Sequence, residues 1–180
     1  MQVTTGGGFD MAEIDPFMLA SIVDLENPLP SNATGVEQLN SALAQIVQAP
    51  VAQAVAPAPD IASQVSGRTF RFEQNAVQIL SAGLDFEAPE RATFQMKVSG
   101  DPEVRVGSVG LDGIFRTSTA GRPWLARGGW QEDRRFLIEY NEGPGLAYYL
   151  IYLQFDGKHL TFELQSPASG QSWVLEGTSE

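Results

Sequence analysis

The 180-residue sequence has no cysteine, one histidine and two lysines, and each shortage excludes a class of chemistry. Without cysteine, neither a disulfide framework nor a thiolate metal site can form. A single histidine rules out a metal site built from several imidazoles, and a Ser-His-Asp triad would have to use His159. The lysines are Lys97 and Lys158. A Ser-x-x-Lys nucleophile is excluded, because positions 94 and 155 are both phenylalanine.

Basic residues are scarce as well, and none precedes Arg68. A secretory signal needs a basic start, and a membrane-spanning helix needs about 20 apolar residues in a row. The sequence shows neither, so we expect no signal peptide and no membrane span. The formal charge of −11 gives an acidic surface that repels phosphate backbones and anionic lipids. We therefore predict neither nucleic acid nor a membrane as a partner, and the cellular compartment stays open.

Two helices are predicted in the first part of the chain. Asp10 or Asp15 is a suitable cap for a helix over residues 11–24. A Thr34–Glu37 pair has the spacing of a capping box and predicts a second helix over residues 35–48.

The segment APVAQAVAPAPD, residues 49–60, is rich in alanine and proline and predicts an extended linker. A domain boundary belongs in such a segment, because few contacts cross it. We therefore divide the chain into residues 1–48, the linker at 49–60 and a second domain at 61–180.

Beyond the linker, the apolar pattern changes from a helical period to a period of two. Runs such as RTFRFEQ (68–74), ATFQMKV (92–98) and HLTFELQ (159–165) alternate apolar and polar side chains, and glycine-containing turns separate them. We predict eight to ten strands between residues 67 and 176, in a mainly β fold that is an antiparallel barrel or half-barrel. The segment LAYYLIYLQF (146–155) is apolar on both faces and predicts a central strand covered on both sides.

Few residues outside these strands offer chemistry. The Gly6-Gly7-Gly8 turn could hold an anion, but no Gly-Lys-Ser/Thr accompanies it and a tight turn explains it. The pairs Glu132–Asp133 and Glu139 with Glu142 could serve glycoside hydrolysis, but a charged hairpin tip and a strand end explain them. His159 is predicted to face solvent at a hairpin. We predict no catalytic residue, no metal site and no cofactor in this chain.

Aromatic side chains are the remaining candidates for a site. In a barrel they could line a cavity for a small apolar ligand, although packing in the core is their commoner role. The predicted ligand-binding residues are Trp124, Trp130, Tyr140, Tyr148 and Tyr152.

Several phrases of the sequence resemble one protein family. SGRTFRFEQNAVQILSAGLDF (66–86), VGLDGIFR (109–116) and ARGGWQEDRRFLIEYNE (126–142) resemble the C-terminal β domain of bacterial serine hydrolases related to class C β-lactamases and penicillin-binding proteins. VTTGGGFDMAEI (3–14) resembles the last strand and helix of their catalytic domain. In that family, which is often exported to the periplasm, a linker leads to a lipocalin-like antiparallel barrel. The resemblance implies such a barrel over residues 61–176.

The catalytic motifs of that family are missing. Beside the excluded Ser-x-x-Lys, Tyr140-Asn141-Glu142 is not Tyr-x-Asn, because its asparagine comes one place too early. Thr4-Thr5-Gly6 lacks the basic residue of the Lys/His-Thr-Gly motif. No catalytic residue of the family therefore carries over to a position of this chain.

The resemblance implies the C-terminal part of a longer hydrolase. We expect a non-catalytic accessory domain that shapes substrate access or oligomerisation, with the catalytic domain of a serine hydrolase as its partner in cis or in trans. The alternative is a lipocalin-like binder of a small apolar ligand. A third hypothesis is an enzyme that uses carboxylates. Apolar helix faces within residues 1–48 also predict a homo-oligomer joined through that segment.

Overall fold

The computed structural model of the chain describes residues 31–118, 123–142 and 147–179. These residues contain two helices and ten strands. By its contacts the chain forms two units, with a boundary in sequence between Val51 and Ala52. The predicted helix over residues 11–24 and the triple glycine lie outside the described residues.

Helix α1 spans Ala33–Val47, which confirms the second predicted helix. Its cap is Asn32, whose Oδ1 accepts a hydrogen bond of 2.8 Å from the Gly35 N–H. Asparagine at this position satisfies one of the N–H groups that a helix start leaves without a partner. The predicted Thr34–Glu37 capping box is therefore wrong. Three large apolar side chains of α1 are exposed, namely Val36, Leu39 and Leu43.

Residues 52–59 run without helix or strand, and helix α2 follows over Asp60–Val65. The Gln53 N–H donates a hydrogen bond of 2.9 Å to the Asp112 carbonyl, so this extended segment is attached to the barrel. Helix α2 was not predicted, because six residues are too few to show a helical period. Its buried residues are Ile61, Ala62 and Val65.

Ten strands follow α2, which confirms the predicted number. They are β1 Arg68–Phe72, β2 Ile79–Ala88, β3 Arg91–Val98, β4 Arg105–Gly110, β5 Arg116–Thr117, β6 Leu125–Glu132, β7 Arg135–Asn141, β8 Tyr148–Asp156, β9 His159–Ser166 and β10 Gln171–Thr178.

Nine of these strands close into a lipocalin-like barrel in the order β4-β3-β2-β1-β10-β9-β8-β7-β6, and β4 pairs with β6 to complete the ring. The mainly β barrel is thus confirmed, with one correction. The sheet is mixed, because β4 and β6 pair in parallel through Gly110 and Arg127. The short β5 reverses the chain between them and pairs antiparallel with β6, so β4 and β6 run the same way.

The barrel interior is filled with side chains rather than hollow. Alternate residues of each strand point inward, and the inward rows form one apolar cluster. The largest fully buried side chains are Trp124, Phe70, Phe94, Phe136, Phe155 and Phe162. Burying one such phenylalanine stabilises the fold by about 1.5–3 kcal/mol, so this interior serves first as a core.

The two ends of the barrel differ. At the end where β1 begins, which we call the closed end, Ile61 and Val65 of α2 join the apolar cluster. At the opposite end, where β4 begins and β7 ends, the inward rows finish in Arg105 and Glu142, which line a cavity. We call this the open end.

Strand β8 is central, as predicted, with β7 and β9 as its neighbours. Its inward side chains Ile151, Leu153 and Phe155 are buried. The expectation that both faces are covered is wrong for the outer face, where Tyr148 is 37% exposed and Tyr152 is half-buried. Side chains of neighbouring strands shield this face in part, since the Arg135 guanidinium lies 4.4 Å from the centre of the Tyr152 ring.

Candidate ligand site at the open end of the barrel

A cavity of about 240 Å³ lies at the open end. Strands β2, β3, β4, β7, β8, β9 and β10 or the residues beside them contribute to its wall, so the cavity exists only once the barrel is closed. The lining residues are the apolar Val77, Ile79, Met96, Val98, Ile151 and Leu164, the aromatic Tyr140, Tyr149 and Trp173, and the charged Arg105 and Glu142. Apolar walls with a few polar groups are typical of small-molecule sites.

The two charged residues of this wall, Arg105 and Glu142, form a network with Asp101. The Arg105 Nε donates to Asp101 Oδ2 at 2.7 Å, and its Nη1 donates to Glu142 Oε1 at 2.6 Å. All three side chains are half-buried, with exposed fractions of 22% for Arg105, 35% for Asp101 and 19% for Glu142. One guanidinium faces two carboxylates, so the three groups carry a net formal charge of −1.

The environment of Arg105 fixes its protonation state. Burial lowers the pKa of the guanidinium, but hydrogen bonds to Asp101, Tyr140 and Glu142 outweigh burial and raise the pKa above its ordinary value. Arg105 therefore stays charged, and the net negative charge of the network persists for as long as both carboxylates are ionised.

Tyr140 connects the cavity to the core. Its ring centre lies 6.5 Å from that of Tyr149, which also lines the cavity, and 5.1 Å from that of Trp124. Trp124 is 2% exposed and does not line the cavity. Gly107 leaves room for it, because a Cβ at Gly107 would collide with the Trp124 ring. Trp124 therefore supports the Tyr140 side of the cavity from within.

The five predicted ligand-binding residues do not meet at one place. Tyr140 lines the open-end cavity, Trp124 is buried behind it, and Trp130 lies towards the closed end. Tyr148 and Tyr152 point outward, because they alternate along β8 with residues that point inward. A ligand role for this set stays a prediction.

The outer face around Tyr148 carries its own ion pair. Glu139 accepts two hydrogen bonds of 2.9 Å from Arg127 and one of 3.0 Å from the Tyr148 hydroxyl. Burial is the main reason that the pKa of Tyr148 is raised to about 12, and the bond to Glu139 adds to it. The arrangement stabilises the neutral phenol rather than activating it.

A second cavity, of about 600 Å³, lies beside the closed end. Residues 55–58 form one of its walls, and Phe86, Leu111 and Trp130 contribute to the others. The Trp130 ring packs on Phe86 and Phe136, with centre distances of 5.5 and 5.1 Å. Among the described residues that line this cavity, Glu87 is the one that carries a charge, so they form no charged cluster comparable to that of Arg105.

The residues considered for catalysis are dispersed. His159 is exposed at the start of β9, as predicted, and Glu132 and Asp133 lie at the exposed β6–β7 hairpin. Within residues 31–118, 123–142 and 147–179, no three His, Cys, Asp or Glu side chains are grouped as metal ligands would be. In the same part of the chain, no helix has the length and apolar character needed to cross a membrane.

Sequence reasoning missed Arg105, and it considered Glu142 only as a partner of Glu139 and not as a member of this site. Counting by twos from the buried Val109 places Arg105 on the inward row, and counting from Tyr140 does the same for Glu142. The alternation shows that each residue points inward, but it cannot show that the two meet, because they are 37 positions apart. Arg105 lies on β4 and Glu142 directly follows β7, and these two strands are not neighbours.

Neither a scan of protein-family models nor a search of curated proteins finds a match to this chain. The family resemblance therefore rests on the quoted segments, and the function has to be argued from the barrel and its cavity.

Proposed function

We propose that this barrel is a non-catalytic accessory domain of a serine hydrolase related to class C β-lactamases and penicillin-binding proteins, where it shapes substrate access or joins subunits. The observation that carries the proposal is that the three resembling segments fold into one body. Residues 66–86 cover β1 and most of β2, residues 109–116 end β4 and reach β5, and residues 126–142 cover most of β6 and all of β7. The filled interior also suits a rigid scaffold.

Activity and labelling of the purified chain test the non-catalytic part of this proposal. We expect no turnover of a chromogenic β-lactam or a p-nitrophenyl ester above buffer, and no labelling by a serine-directed fluorophosphonate. Stoichiometric labelling of any serine would overturn it. The coding sequence upstream of Met1 tests the family, because we expect Ser-x-x-Lys and Tyr-x-Asn there or in a neighbouring gene. Their absence from both would overturn the parentage.

We also propose a second copy of the chain as a partner, through helix α1. Its side chains Val36, Leu39 and Leu43 are 56%, 58% and 49% exposed, and they share one helix face. Exposed apolar stripes of this kind mark interaction surfaces.

Light scattering after gel filtration tests this partner. We expect the full chain to form a dimer or larger oligomer, and the double variant Leu39→Glu/Leu43→Glu to lower its mass to that of a monomer. The matched control is Gln38→Glu, which adds charge at another exposed position of α1. A monomeric wild-type chain at high concentration would contradict the proposal.

A second candidate function is favoured by the open-end cavity, namely binding of a small, largely apolar ligand. The cavity of about 240 Å³ is wide enough for a ligand of one or two rings, and its wall is mainly apolar.

A neutral fluorescent probe with two fused rings, the naphthalene derivative Prodan, tests for this function. We expect saturable binding at one site that Val98→Trp abolishes, because Val98 lines the cavity. Val106→Trp is the control, since Val106 is an exposed valine on the outer face of β4. Equal binding by both variants would exclude this cavity as the probe site.

A further inference from the structure

The open-end cavity combines two features that favour one class of ligand. Three aromatic side chains, Tyr140, Tyr149 and Trp173, share its wall. Glu142 lines it too, and it shares Arg105 with Asp101, which lies outside the cavity. Aromatic faces and a carboxylate attract an organic cation, and aromatic cages for quaternary ammonium groups use the same physics.

From this geometry we infer that the open-end cavity binds a small organic cation, an ammonium group carried on an apolar body. The inference rests on the ligand-binding function proposed above and specifies its ligand class. The ammonium group would lie among Tyr140, Tyr149 and Trp173, beside Glu142, and the apolar body would contact aliphatic residues such as Met96 and Leu164.

Anionic and neutral ligands fit this cavity less well than a cation does. An anion would compete with Asp101 and Glu142 for Arg105, whose Nε and Nη1 they already occupy. It would also approach a chain with a formal charge of −11, which repels anions at long range. A neutral ligand gains only the apolar contacts. A cation gains both the ring faces and the Glu142 carboxylate in the cavity wall.

Lys97 is a further cation beside this network. Lys97 donates its Nζ hydrogen bond of 2.6 Å to the backbone carbonyl of Asp101, so its charge offsets that of Asp101. Neither Lys97 nor Asp101 is among the described lining residues, whereas Glu142 is. Lys97 lies on β3 between the inward-facing Met96 and Val98, so its side chain starts from the outer face.

Three probes that share one benzene ring separate the contributions of charge and apolar contact, measured by calorimetry on the full chain. Benzyltrimethylammonium carries the charge, neopentylbenzene is its neutral isostere, and benzenesulfonate is an anion on the same ring. We expect the cation to bind about tenfold more tightly than the neutral isostere, and the sulfonate not to bind. Raising the salt from about 0.02 to about 0.5 M should weaken the cation alone, because its charge contacts are screened.

Two variants of equal charge locate the site. Glu142→Gln should weaken binding of benzyltrimethylammonium about fivefold or more. Glu139→Gln removes the same charge from the outer face of β7, the strand that Glu142 directly follows, and should leave the affinity unchanged, because Glu139 pairs with Arg127 outside the barrel.

The outcomes separate this inference from the function on which it rests. If the neutral isostere binds as tightly as the cation, or Glu139→Gln weakens binding as much as Glu142→Gln, the cation assignment is wrong while ligand binding stands. If neither the cation nor the neutral probes show saturable binding, both the assignment and the ligand-binding function are overturned.

Discussion

The closed and open ends of this barrel are made from the same nine strands, yet they differ in what completes them. At the closed end, Ile61 and Val65 of α2 extend the apolar cluster, so this end is sealed by more core. At the open end, Arg105 and Glu142 occupy inward positions. An apolar plug over this pair would have to desolvate both charges, and that cost can exceed the gain of the pairing. Inward charges thus keep one end accessible.

The largest difference in stability is expected between the alanine variants of two tryptophans near the open end. Trp124 is 2% exposed, and Trp124→Ala should destabilise the fold by about 3–5 kcal/mol, because it leaves a large cavity in the core. Trp173 is half-buried and lines the ligand cavity, so Trp173→Ala should cost about 1 kcal/mol and weaken cation binding instead. Urea unfolding and calorimetry measure the two effects. Equal losses of stability would remove the distinction between core and cavity wall.

A glycine pair tests how closely the interior is filled. Gly107→Ala should cost about 1–3 kcal/mol, because the new methyl group collides with the Trp124 ring. Gly129 is the control, since a Cβ there has no atom within 4 Å and its backbone does not need glycine. We expect Gly129→Ala to change the free energy of unfolding by less than about 0.5 kcal/mol. A stable Gly107→Ala would mean that Trp124 has room to move.

The stability losses of two valine-to-alanine variants compare the closed and open ends of the barrel directly. Val65→Ala at the closed end removes a side chain that is 1% exposed, and it should cost about 1–2 kcal/mol. Val77→Ala at the open end removes a partly buried one and should cost less than about 1 kcal/mol. Thermal unfolding of the two variants is the measurement. A larger loss for Val77→Ala would contradict the assignment of the closed end as the sealed one.

The smallest effect on stability is expected from Tyr148 on the outer face of the barrel, at high pH. The folded chain raises the pKa of Tyr148 from 10.0 to about 12, so between these values the unfolded chain loses a proton that the folded chain keeps. Stability should therefore fall as the pH rises through this window, and Tyr148→Phe should make that fall shallower. Urea unfolding at pH values below and above 10 compares the variant with the wild type. Identical slopes would show that Tyr148 has no such coupling.

Much of the fold could be predicted from local patterns. Helix α1 and the number of strands followed from apolar periods. The β8–β9 turn at Asp156-Gly157 is one of the predicted glycine-containing turns, and its Gly157 has φ +60°. Helix α2 could not be predicted, because its apolar side chains pack against the closed end of a barrel that only the tertiary structure forms. The cap of α1 was misplaced because Asn32 and Thr34 are both suitable residues, and only the backbone path selects Asn32.

The period-two strands, the exclusion of cysteine chemistry and of a Ser-x-x-Lys nucleophile, and the acidic surface all follow from the amino-acid sequence, since each depends on residue type and local order. The tertiary structure alone decided the parallel closure of β4 on β6, the split of neighbouring tyrosines between the outer face and the cavity, and the meeting of Arg105 with Glu142. The physical reason is that register and closure set which distant residues share an end. A one-residue shift of pairing would move Arg105 from the cavity to the outer face.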